Sequence, residues 1–157
     1  MAFDIADLVD GVRASRRHFI KHLKGIREDQ WDWKPYPGCM SIRQTIAHLI
    51  SDDRAAMDML ETGNHPDYES LQETEQDIIK LQGLLHESHQ KLCAFILKKF
   101  ADTPLYTEVN FFKGRVKLGL AISDISSEDF YHAGQIAFIR MASDPSWDYY
   151  PAIYGGG

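Results

Sequence analysis

Cysteine is scarce: Cys39 and Cys93 are the only two in 157 residues, far apart and in no Cys-x-x-Cys or Cys/His cluster. Such a count suits free thiols in a reducing compartment rather than a disulfide framework. Long apolar runs are missing too, so nothing in the chain has the length of a membrane span. An excess of basic residues is also absent. With 17 Lys and Arg against 23 Asp and Glu, the formal net charge is −6, which argues against a nucleic-acid binder that works by neutralising phosphates. The opening "MAFDIADLVDGVRASRR" lacks the charged-then-apolar pattern of a secretory signal, and the cytoplasm is the expected location. His-Glu-x-x-His, Gly-x-Ser-x-Gly and P-loop patterns do not occur. Neither does the Glu-x-x-His element that a ferritin-like di-iron site requires twice.

What is present is the composition of a globular protein, 44% hydrophobic and 25% charged. It is long enough for one substantial core, and the expectation is a single domain over residues 1–157. Apolar residues keep a helical period over 3–26, 41–61, 70–100 and 118–142. Between the first two stretches, "WDWKPYPGCM" breaks the pattern with two prolines and a glycine, after which Ser41 is a natural N-cap. The third stretch carries Leu71, Ile78, Leu85 and Leu92 at a seven-residue step. Between it and the fourth, "LYTEVNFFKGRVK" is rich in β-branched and aromatic residues around a Lys113-Gly114 turn signal, which predicts an extended crossover or a small hairpin. The tail "DPSWDYYPAIYGGG" has no period, and its end is expected to be mobile. The pattern is all-α, a four-helix bundle.

The last helical stretch contains "EDFYHAGQIAFIR", residues 128–140. At 100° per residue, Glu128 and His132 project close together within the stripe defined by Ile125, Ile136 and Ile139. A carboxylate or imidazole facing a core needs a partner. Spacing of four residues aims both side chains at a common point, as when one helix gives two ligands to a metal. The third ligand would come from another helix, and His48 in "SIRQTIAHLISDD" is the candidate, at the edge of its apolar stripe with Asp52 one turn on. Two histidines and one carboxylate can hold a divalent ion and leave positions open. The alternative is a Glu–His hydrogen bond within a buried polar network. His18 and His22 lie among Arg16, Arg17, Lys21 and Lys24 and read as a solvated face. His89 leans toward the Leu85–Leu92 stripe as a polar contact in the core. Cys93 reads as core and Cys39 as loop.

Three features together resemble the DinB/YfiT-like four-helix-bundle family: "WDWKPYPGCMSIRQTIAHL", "HAGQI" on the last helix, and the helix order. The resemblance implies an up-down-down-up bundle with a long crossover between the second and third helices. It also implies one divalent metal ion, nickel, zinc or iron, held by a histidine of the second helix and a His-x-x-x-His pair on the fourth. Here His48 and His132 take two of those roles, and Glu128 stands where the family has its other histidine. The family likeness further implies a metal-dependent thiol S-transferase or hydrolase acting on small molecules, in which the metal would lower the pKa of a bound thiol or water. Asp52 would orient an imidazole, and Tyr131 and Gln135 would flank the open positions. A homodimer is the expected assembly, with no nucleic-acid or membrane partner. The competing expectation is a non-catalytic, stress-associated binding module in which the His/Glu cluster is structural.

Overall fold

The computed structural model describes residues 3–112 and 114–155. Helix α1 (Ile5–Lys21) starts at Asp4, whose carboxylate accepts from the Asp7 amide while Asp7 returns the bond. Helix α2 (Ile42–Thr62) starts at the expected Ser41 cap, reciprocated by Gln44, and stops at Gly63, whose φ of 72° is left-handed. One turn of helix, α3 (Tyr68–Leu71), interrupts the connection to α4 (Ile78–Lys99). Strands β1 (Glu108–Phe111) and β2 (Gly114–Lys117) form an antiparallel hairpin with Phe111 opposite Gly114. Helix α5 (Leu118–Ser143) follows without a break, and a short α6 (Tyr149–Tyr154) closes the described chain.

The helix directions follow from contacts at their ends. Arg43, in the first turn of α2, donates to the carbonyl of Gln76 just before α4, and Lys99 at the end of α4 pairs with Glu61 at the end of α2. These two helices therefore run parallel and need the long crossover 63–77. Similarly, Arg140 near the end of α5 donates to the carbonyls of His22 and Lys24 just beyond α1. An α5 residue at the other end, Gly119, lies beside Leu8 of α1. So α1 packs on α5 and α2 on α4, each pair parallel and the pairs opposed, which is the up-down-down-up order.

Three expected boundaries differ. Helix α1 ends at Lys21 rather than near residue 26, because Arg140 supplies donors to the terminal carbonyls and Gly25, at φ 71°, turns the chain. Helix α4 begins at Ile78 rather than Ser70. In the intervening segment, side chains satisfy the backbone locally: Glu73 accepts from the amides of Thr74 and Glu75, and Glu75 from those of Gln76 and Asp77. Asp77 then caps Ile79 and Lys80, so Leu71 belongs to the crossover and not to the heptad stripe. The tail holds helix α6 with Ile153 buried. Lys113 of the expected turn, and the last two glycines, lie outside the described residues.

The core has two apolar halves. One holds Val9, Val12, Leu92, Ile96 and Ile122; the other holds Phe19, Ile46, Leu85, Ile136 and Ile139. A polar layer lies between them. Arg16, 3% exposed, donates through Nε to Asp129 at 2.8 Å and through both Nη atoms to Asp53 at 2.9 and 3.0 Å. Ser15 completes Asp129 at 2.9 Å, and Ser88 completes Asp53 at 2.6 Å. Every carboxylate oxygen in the layer thus has a donor. Burial raises the Asp129 carboxyl above the ordinary range against the pull of Arg16. The solvated-face reading therefore fails for Arg16, and also for His22, which is buried with Nδ1 against the His18 carbonyl. An arginine's long stem lets its charge reach across a bundle, which a residue-by-residue charge pattern does not reveal.

His89 is buried as expected, 3.6 Å from the Cys93 sulfur, and burial with the nearby Arg16 and Arg13 holds its pKa down at about 3. Two outcomes follow for stability. Arg16→Met leaves two buried carboxylates without a cation and should cost about 3–5 kcal/mol in urea unfolding. Because folded His89 stays neutral while the unfolded chain takes up a proton near pH 6.5, stability should fall as pH drops from about 6.5 toward 3. His89→Leu should flatten that limb by up to about 1.4 kcal/mol per pH unit, read from urea midpoints at pH 7.5, 5.5 and 4.5.

Candidate metal centre

Each of two helices brings a pair of residues one turn apart to the same place: His48 and Asp52 from α2, Glu128 and His132 from α5. Their relative height is set by the polar layer, since Asp53 and Asp129, the neighbours of Asp52 and Glu128, are gripped by the one guanidinium of Arg16. One ligand atom from each of His48, Glu128 and His132 lies within 4.8 Å of the others. The two imidazoles meet edge to face, with centroids 4.9 Å apart. Donors about 2.1 Å from a shared ion stand roughly 3–3.6 Å from one another. The trio is therefore about 1 Å open, and His48 and Glu128, with side chains 39% and 47% exposed, have room to close it.

His132 carries the most informative geometry. It is 2% exposed, and its Nδ1 is 2.7 Å from Oε1 of Gln135, an acceptor. The proton therefore sits on Nδ1, and Nε2 carries a lone pair. That nitrogen is buried and makes no hydrogen bond, and the Glu128 carboxylate faces it at 3.5 Å. A lone pair and a carboxylate facing each other with no proton between them are an arrangement that would suit a cation. Burial holds the His132 pKa below its ordinary value, with His48 acting in the same direction, so the ring is neutral and ligand-competent at neutral pH.

His48 is placed differently. Its Nε2 lies 3.1 Å from Oδ2 of Asp52, so Asp52 orients the imidazole as the sequence suggested. Burial pushes the Asp52 carboxyl up to about 6, with Glu128 adding to the rise and His48 opposing it.

Other expected neighbours fall elsewhere. Glu128 lies at the rim rather than in the middle of the apolar stripe; the next residue, Asp129, is the one fully buried. Helix α5 is apolar on almost every side, with Phe130, Tyr131, Phe138 and Met141 exposed, so its inward face could not be fixed by periodicity to better than one residue. Tyr131 is exposed and touches the His132 ring only by its edge. Gln135 faces Nδ1 rather than an open coordination position.

Two hollows flank His48. A cavity of about 250 Å³ runs under the hairpin, with Leu49, Ile125, Phe111, Phe112 and Tyr68 among its walls and Asp52 and Glu128 also lining it. A polar groove of about 870 Å³ lies between α2, the loop 32–40 and the crossover. His48, Asp52 and Tyr68 border both.

A sequence model described as the DinB superfamily matches residues 12–136. Among solved structures, the crystal structure of a DinB-like protein, YjoA, from Bacillus subtilis matches with a TM-score of 0.66 at 19% identity, covering 91% of this chain and 96% of that one. At that identity the likeness concerns the fold. No curated protein matches the chain.

The Gln135 contact predicts a tautomer. In the metal-free protein, nitrogen-detected NMR should find His132 protonated on Nδ1. Gln135→Leu should release that preference and weaken Ni²⁺ or Zn²⁺ binding by about 10–100-fold, measured by calorimetry.

Proposed function

From the chain's membership of the DinB superfamily, shown by a match over residues 12–136, we propose that it is a divalent-metal-dependent enzyme of small-molecule chemistry, a thiol S-transferase or a hydrolase. The observation that carries this reading is the buried, unpartnered Nε2 of His132, turned toward Glu128 and His48. In the proposal His48, Glu128 and His132 hold the ion. When bound, it would supply a lowered pKa to a coordinated thiol or water at neutral pH. The chain's own residues do the rest. Gln135 keeps the proton off His132 Nε2. Asp52 orients His48 and, with its carboxyl raised to about 6, stands ready to accept the proton that a coordinated nucleophile gives up. Phe111, Phe112 and Ile125 give the cavity beside them an apolar wall.

The carboxylate in place of a third histidine lowers the charge of the site by one and supports metals that accept oxygen donors, zinc and ferrous iron beside nickel. The working unit in this reading is a cytoplasmic homodimer of single-domain subunits, acting on a small thiol or its conjugate. No helix among the described residues is long and apolar enough to cross a membrane.

A second reading has one observation in its favour. The His48–Asp52 pair at 3.1 Å is satisfied without an ion, as a structural cluster in a non-catalytic binding module would be. Elemental analysis separates the two. Protein purified without added metal should carry close to one divalent ion per chain, and His132→Ala should carry little. Equal traces in both would remove the enzymatic reading. With metal present, transfer of a low-molecular-weight thiol to an electrophilic dye should be measurable, and its absence with every thiol tried would favour hydrolysis.

A further inference from the structure

The two hollows beside His48 differ in chemistry, and they share a wall. The smaller is apolar over most of its surface and has one aromatic wall: Phe112 stacks on Tyr68, with centroids 6.3 Å apart and planes 24° from parallel, and Phe111 braces Phe112 edge to face. The larger has α2 as its floor. Its walls meet at Arg43, which is bonded to Asp32 on one side and to the Gln76 carbonyl on the other. Of the acids that line it, Asp32 is taken up by Arg43, Glu73 by Arg54 and Asp52 by His48, which leaves Lys34 on the loop wall facing Glu69 and Glu75 on the crossover wall, so the groove presents both signs of charge. A pocket lined by rings takes an apolar or aromatic group. A groove with a cation on one side and carboxylates on the other takes a small zwitterion, its carboxylate toward Lys34 and its amine toward Glu69.

We infer that the centre is approached from two sides by two different ligands, a zwitterionic molecule of amino-acid type in the groove and an apolar, preferably aromatic, group under the hairpin, with His48, Asp52 and Tyr68 as the partition between them. This rests on the proposed function for the location of the chemistry, and adds to it where each reactant lies and which residues choose it. Phe112 and Tyr68 set the preference of the apolar side. Lys34 and Glu69 set that of the polar side. A thioether that carries both groups would lie with its sulfur at the partition, one substituent in each hollow.

Binding to the metal-free protein tests this without turnover. Three thioethers divide the problem: S-methyl-L-cysteine for the groove, benzyl methyl sulfide for the pocket, and S-benzyl-L-cysteine for both. The molecule that spans both should bind at least about tenfold more tightly than either half, because its second contact is intramolecular. In amide chemical-shift titrations, Phe112→Ala should weaken both benzyl compounds about tenfold and leave S-methyl-L-cysteine unchanged. Lys34→Glu should weaken both cysteine compounds and spare benzyl methyl sulfide. If S-benzyl-L-cysteine binds no better than the stronger half, or if the two variants weaken the same compounds, the two-sided arrangement is wrong. Binding that divides as described in a protein without turnover would overturn the enzymatic reading alone. Turnover without that division would overturn the present inference alone.

Discussion

The bundle is organised by the need to neutralise one buried guanidinium. Arg16 is almost wholly buried, so its charge must be met by carboxylates brought from other helices, and those carboxylates must have every oxygen occupied. Asp53 of α2 and Asp129 of α5 meet it, while Ser15 of α1 and Ser88 of α4 complete them. All four long helices contribute, and few relative heights satisfy five hydrogen bonds at once. Apolar packing above and below tolerates sliding more readily than this layer does, since slippage by one turn would leave ionised groups without partners. The layer thus specifies the register of the bundle, and the apolar halves supply most of the stabilisation.

That register is what places the candidate metal centre. Asp52-Asp53 on α2 and Glu128-Asp129 on α5 are tandem acids, and in each pair one residue turns inward to Arg16 while its neighbour turns to the gap beside His48 and His132. A histidine one turn before Asp52 and another one turn after Glu128 complete the set. The donors on α5 also differ in freedom. His132 is held by burial and Gln135, whereas Glu128 is exposed at the rim. One held nitrogen and two exposed neighbours are an arrangement that would leave room for ions of different size.

Much of this was legible in the chain. The Ser41 cap, the breaker segment before it, the hairpin after α4 and the pairing of Glu128 with His132 were carried by local signals: a capping box, two prolines, alternating β-branched residues and a four-residue spacing; His48 joined them through its place at the edge of an apolar stripe and through the family resemblance. What was not legible depended on distance. Nothing next to Arg16 announces that its partners are 37 and 113 residues away, so it reads as one more charge among Arg17, Lys21 and Lys24. The Glu-rich crossover extended a leucine heptad convincingly until its carboxylates were seen to bond the backbone in place of a helix. On α5, exposed aromatics blurred the inward face, and the buried acid proved to be the residue beside the one expected.

The parallel course of α2 and α4 has a consequence for how such a protein can change. Parallel neighbours cannot be joined by a tight turn, so the chain must return along the whole length of the bundle, and that return builds one wall of the polar groove. The hairpin that roofs the apolar cavity is likewise a connection between helices. The donors, by contrast, all stand on helices locked by the Arg16 layer. Insertions, deletions or exchanges in 63–77 and around 108–112 can therefore reshape what is admitted without shifting the atoms that would act on it, and recognition and reactivity are free to diverge on separate segments of the chain.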